Sequence, residues 1–145
     1  MTRILPGLLS AAVAWLPMVA LDAAAQAAPQ RVRLVGTDAV LTATLDVSPS
    51  ASDFVSLLPL ELTLEDYAAT EKIAYLPRKL TTSGAPEVTR PQAGDLAYYA
   101  PWGNLALFHR GAAPARGLIR LGRLEGDLAP LRRPGPMRLR IERLP

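Results

Sequence analysis

The sequence predicts a mainly β domain, a small barrel or rolled sheet carrying one or two short helices. Three observations carry this expectation. About seven segments alternate apolar and polar side chains, the period-two signature of strands with one inward face. One stretch, 51–58, switches to the helical period. Gly, Pro, Asp and Ser clusters break the chain between these segments. Many short strands with few helices roll up into a sandwich or barrel, and closure removes the exposed edges of a monomeric sheet.

The first segment stands outside this pattern. Arg3 precedes eighteen uncharged residues, 4–21, and an alanine-rich tract that reaches Ala25-Gln26-Ala27. A basic start, an apolar middle and an A-x-A site are the parts of a signal peptide, here spanning 1–27. One domain is then expected over 28–145, in the periplasm or outside the cell, with no membrane attachment after cleavage. The alternative is an uncleaved anchor, since eighteen apolar residues just span a bilayer. Pro6, Gly7, Pro17 and the A-x-A site favour removal instead. No cysteine follows to carry a lipid.

In the rest of the chain, 31–35 and 39–45 alternate around Gly36-Thr37-Asp38 and read as a β-hairpin. Ala51, Phe54, Val55 and Leu58 then lie at i, i+3, i+4 and i+7, a short amphipathic helix. Ser50 and Asp53 supply an S-x-x-D start, and Pro59 ends it. Two turns cannot stand alone, so this helix is expected to plug the sheet. Leu60, Leu62 and Leu64 return to alternation. From 67 to 91 the pattern is lost amid three prolines and Ser83-Gly84, which predicts mostly long loops. Segments 94–100 and 104–110 flank a Pro-Trp-Gly corner as the arms of a hairpin. An irregular piece leads to the strand 118–124, at most one helical turn fits within 126–136, and 137–144 alternates again.

Composition narrows the chemistry. The chain has no Cys and one His, too few for a structural zinc site or a three-ligand catalytic one, and no calcium-loop spacing occurs. Neither a G-x-G-x-x-G nor a P-loop is present. No cofactor is expected. Seven acids and no Lys or Arg occupy 34–71, whereas nine Arg and three acids occupy 110–145. A basic face for nucleic acid is one reading. The Arg residues, however, sit at strand spacing between apolar partners, so acidic and basic halves lying side by side explain them. Secretion also makes nucleic acid an unexpected partner.

The densest chemistry lies in 98–110, which holds four of the eight aromatic residues and the single histidine. Tyr98 and Tyr99 must face opposite sides of a strand, one toward the core and one outward. Pro101 and Gly103 suit a turn that places Trp102 at a hairpin tip or barrel mouth, either capping the core or stacking on a ligand. His109 is the only base for a Ser-His-acid triad, with Asp95 as its acid, but no G-x-S-x-G elbow presents a nucleophile. Glu65 and Asp66 are strand neighbours and point apart.

Three runs carry a resemblance: 57–80, then "AGDLAYYAPWGNLALF", then "GLIRLGRLEG". From about Val32 to Arg143 the chain resembles the bacterial cyclophilin-like fold family of small proteins. The resemblance implies a closed, mainly antiparallel cyclophilin-like β-barrel with short flanking helices, and no particular activity. Phe108-His109-Arg110 matches a Phe-His-Arg of true cyclophilins, whose arginine is catalytic. The apolar stretch ending in Gln-Gly-Gly that follows it there is absent here, as is a later Gln-Phe-Phe.

These readings converge on a binding or accessory module for a small molecule or peptide. Its candidate site is a groove between the aromatic hairpin and 67–91. Tyr99, Trp102, Asn104 and His109 are the principal residues, with Glu71, Lys72 and Arg120 as polar contacts. The alternative is a prolyl isomerase with a non-standard site built on Phe108 and Arg110. A hydrolase using His109 is a third reading. The binding and catalytic readings gain if Trp102 and His109 share one open cleft.

Overall fold

The computed structural model describes residues 28–145; the signal-peptide reading of 1–27 lies outside them. The strands are β1 (Arg31–Gly36), β2 (Val40–Leu45), β3 (Leu60–Tyr67), β4 (Glu71–Tyr75), β5 (Val88–Thr89), β6 (Asp95–Tyr99), β7 (Asn104–Phe108), β8 (Ala115–Arg116), β9 (Leu118–Glu125) and β10 (Met137–Arg143). Two short helices, α1 (Pro49–Ser56) and α2 (Ala129–Arg132), complete the set. Eight strands close an antiparallel barrel in the order β1-β10-β3-β4-β7-β6-β9-β2, and β5 pairs with β8 as a separate ribbon. The fold is the closed, mainly β barrel that the sequence predicts.

Alternation decides which side chains fill the barrel. Val32 and Leu34 of β1 face Leu41 and Ala43 of β2, and Leu139 and Ile141 of β10 join them in one buried core. Leu96 and Tyr98 of β6 and Leu105 and Leu107 of β7 enter the same core. The two tyrosines do part as strand geometry requires: Tyr98 is buried and its hydroxyl accepts the Leu80 N–H at 3.1 Å. Helix α1 contributes Ala51, Phe54 and Val55 near that end, and Leu131 of α2 is buried in the same core.

Two details differ from expectation. The helix cap is Ser48 rather than Ser50: Ser48 Oγ accepts the Ala51 N–H at 3.2 Å, with Pro49 in the first turn. Ser50 is buried and donates to the Thr81 carbonyl at 2.7 Å, while Asp53 accepts the Thr81 N–H and pairs with Arg78. Second, part of the expected loop region is β4, which joins β3 to β7 and completes the barrel. Its inward positions are Lys72 and Ala74, so an inward lysine breaks the apolar alternation. The β3–β4 connection hides itself as well. Ala68 and Ala69 have φ of 51° and 57°, and Thr70 N–H donates to the Tyr67 carbonyl at 3.3 Å. A left-handed turn of this kind ordinarily uses Asn-Gly, so Ala-Ala gives no turn signal.

The acidic and basic halves interleave around the barrel. Asp38 pairs with Arg133, Asp46 with Arg120 and Glu61 with Arg140, each joining the acidic stretch to the arginine-rich one.

Among the glycines of the described residues, Gly122 lies closest against a neighbouring strand. A Cβ there would run into the Thr44 carbonyl and stand 2.8 Å from Leu45 Cα, both backbone atoms of β2. The strands must part to admit it. Gly122→Ala is expected to destabilise the domain by about 2 kcal/mol or more, at or beyond the usual cost of overpacking, read as a fall in thermal midpoint. An unchanged midpoint would contradict the observed β2–β9 register.

Candidate functional site

Strands β4, β7, β6 and β9 carry side chains of use on both faces. Their outward residues form a second apolar cluster of Ala97, Ala106, Phe108 and Leu118, against which Ile73, Tyr99, Ala112 and Ala115 pack. Two clefts open beside the β5–β8 ribbon. One, of about 370 Å³, lies over this outer cluster and reaches Ala115 of β8. The other, of about 330 Å³, reaches Thr89 of β5 and Arg120.

The larger cleft gathers Glu71, Tyr99, Trp102 and Asn104 from the expected site and adds Tyr67, Phe108 and Pro91. Tyr99–Gly103 forms the corner: Gly103 N–H donates to the Tyr99 carbonyl at 2.9 Å, and Gly103 takes φ of 70°. A residue with a side chain is disfavoured there, which is what Gly provides. The corner leaves Trp102 45% exposed, lining the cleft rather than capping the core. Its indole meets Tyr67 and Tyr99 edge-to-face, with centroids 5.4 and 5.3 Å away.

Two polar groups accompany the aromatic wall. Asn104 is 2% exposed; its amide nitrogen donates to the Leu105 carbonyl at 3.2 Å, and its Oδ1 has no partner. Glu71 is half-buried and accepts from Thr70 Oγ1 at 2.8 Å. It forms no ion pair among the described residues. Burial pushes its carboxyl above the ordinary 4.5, opposed by the Thr70 hydrogen bond.

The remaining three expected residues lie elsewhere. His109 follows Leu105 and Leu107 in parity and is only 6% exposed. Its Nδ1 has no partner, and its carbonyl accepts from Arg132 at 3.2 Å. Burial lowers its pKa, reinforced by Arg110, Arg132 and Lys72 and opposed by Asp66. Lys72 is wholly buried; its Nζ donates to Asp66 Oδ1 at 2.5 Å and to the Gly135 carbonyl at 2.8 Å. This lysine closes a barrel end. Arg120 lines the other cleft, where Asp46 holds it at 2.8 Å. Trp102 and His109 therefore do not share an opening.

The triad does not assemble either. Asp95 Oδ1 accepts from Arg123 at 2.7 Å and Oδ2 from the Gln92 N–H at 2.9 Å, and His109 Nδ1 has no hydrogen-bond partner. Of the Phe-His-Arg run, Phe108 lines the aromatic cleft while Arg110 is exposed outside its lining. Phe108 was legible by parity with Asn104 and Ala106. Tyr67 was not, because its turn was hidden.

Comparison with known proteins fits this architecture. The model of the cyclophilin-like family matches residues 35–142. The chain belongs to the cyclophilin-like family. A similar fold occurs in the solution structure of a hypothetical protein from Archaeoglobus fulgidus, with a TM-score of 0.55. Identity is 18%, over 80% of this chain and 95% of that one, so the likeness concerns the fold alone. No curated protein matches this one. In this cyclophilin-like domain, the aromatic cleft stands on the outer wall of the barrel, with the buried core behind it.

The unpaired carboxylate has a consequence for stability. A raised folded pKa means that the contribution of Glu71 is full below 4.5 and is lost as pH rises through the folded value. Glu71→Gln is therefore expected to gain stability relative to wild type as pH rises from 4 to 7, read from thermal midpoints. A wild-type advantage that grows over that range would show a hidden ion partner.

Proposed function

We propose that this cyclophilin-like domain is a periplasmic or secreted binding module that takes a small molecule or peptide in the aromatic cleft. One observation carries the reading: an open cavity of about 370 Å³ whose apolar and aromatic walls also present the polar groups of Glu71 and Asn104. Ligand pockets of about 300–1,000 Å³ have this character. The signal-peptide pattern of 1–27, a basic start, an apolar middle and an A-x-A site, supports export, and a mature N-terminus near Ala28 on the isolated protein would be its signature.

A second reading is favoured by Phe108 alone, which lines the cleft in a fold shared with prolyl isomerases. Arg110, its other essential residue, stays outside the lining. A ligand screen by saturation-transfer NMR separates the cases when run beside a proline-peptide isomerisation assay. The binding module predicts hits that Trp102→Ala weakens about tenfold or more, within the range of aromatic truncations at binding sites, and isomerisation at the uncatalysed rate. Hits bound equally by Trp102→Ala would remove the cleft assignment, and a catalysed rate would favour the isomerase.

A further inference from the structure

The aromatic cleft has a sign. The chain holds 16 Lys and Arg, yet no Lys, Arg or His of the described residues lines this cavity. Its one charged side chain is Glu71, half-buried and without a cation. The neighbouring cleft makes the contrast: there Arg120 and Asp46 are already paired.

The second polar group also asks for a donor. Asn104 is buried, and the Leu105 carbonyl fixes its amide nitrogen on one side. Rotating the amide by half a turn would set two oxygens against each other, so the orphaned atom is the acceptor. An acceptor buried without a partner is costly, and a ligand N–H or O–H relieves it.

Register sets the distance between the two. On paired strands β4 and β7, Glu71 lies opposite Phe108 and Tyr75 opposite Asn104. Four residues along a strand separate the positions by about 13 Å between Cα atoms. One small cation cannot bridge both. The aromatic wall runs between them: Tyr67 is the cross-strand partner of Glu71, Tyr99 that of Asn104, and Trp102 touches both rings. Rings meeting at 89° and 79° form corners, and aromatic faces attract cations.

We infer that the cleft recognises an elongated organic cation, with an ammonium at Glu71 and Tyr67, an apolar body over Phe108 and Leu118, and a hydrogen-bond donor at Asn104. This rests on the binding-module reading and names its ligand class. An anion is repelled by Glu71, and a neutral ligand of the same shape leaves that carboxylate unpaired. The ammonium has two sources, a free amine or a lysine side chain with its peptide N–H.

Calorimetry on the purified protein with four probes tests this. Tyramine carries both groups, tyrosol has a hydroxyl in place of the ammonium, and 3-(4-hydroxyphenyl)propionate is the anion. Nα-acetyl-lysine methylamide represents the peptide source. At pH 7 tyramine or the lysine derivative should bind about tenfold or more tightly than tyrosol, as a charge-assisted hydrogen bond gives, with the anion weakest. The tighter of the two cations assigns the source. Glu71→Gln should abolish the preference for tyramine over tyrosol without lowering the thermal midpoint, while Glu71→Asp, which keeps the carboxylate, should retain it.

Equal binding of tyramine and tyrosol, or a preference that survives Glu71→Gln, overturns the inference. If Trp102→Ala still weakens all three phenols, only the ammonium assignment falls and the cleft stands. Failure of both cations to bind with a Kd of about 1 mM or tighter overturns it as well. Other screen hits sensitive to Trp102→Ala then show whether the binding-module reading survives.

Discussion

Burial of the same strands on both faces is the constraint on which the rest of this structure depends. All five residues of β7 are buried, although strand alternation sends them to opposite sides. Leu105 and Leu107 fill the barrel, while Asn104, Ala106 and Phe108 lie under the outer elements. Neither face is free to become solvent-exposed by a register slip. A one-residue slip would exchange core and cleft, carrying Asn104 and Phe108 inward and the two leucines out. The geometry of the cleft floor is therefore fixed by the packing of the core behind it.

Charge is arranged to leave that floor alone. Arg133, Arg120 and Arg140 are drawn to Asp38, Asp46 and Glu61, and Arg123 to Asp95. Most of these partners are exposed, and such pairs contribute little individually. These pairs hold arginines at other parts of the barrel, and no arginine among the described residues lines the aromatic cleft. Lys72 is the inward exception. It spans the barrel end to Asp66 and Gly135, and Asp66 also accepts the Gly135 N–H at 2.7 Å. The acid and the lysine together seal the segment after α2 without offering a cation to Glu71.

Much of this was legible in residue order, and the failures have physical causes. Apolar–polar spacing located seven barrel strands, including β9, whose pairing with β6 carries a register shift. It missed β4, where a buried lysine occupies an inward position and the preceding turn is built from two alanines with positive φ. At the site, Tyr99, Trp102, Asn104 and Glu71 converge as expected, since the hairpin was correctly read and Glu71 follows the hidden turn. Lys72 and His109 separate from them by parity. Each is one residue removed from an outward neighbour, and on a strand that step reverses the face. Counting on from Leu105 and Leu107 assigns His109 inward. Lys72 required knowledge of β4, and Arg120 required knowledge of where the ribbon lies.

The most direct test of the account is where a cation binds. In two-dimensional ¹H–¹⁵N spectra of the labelled protein, added tyramine should shift the Asn104 side-chain amide, the Trp102 indole N–H and the backbone amides of Ala112, Ala113 and Ala115 along the cleft rim. Signals of Ser83, Gly84 and Arg120 in the neighbouring cleft should stay in place. Shifts centred on that second group, with Asn104 and Trp102 unmoved, would contradict the assignment of the binding site to the outer wall of β4, β7 and β6.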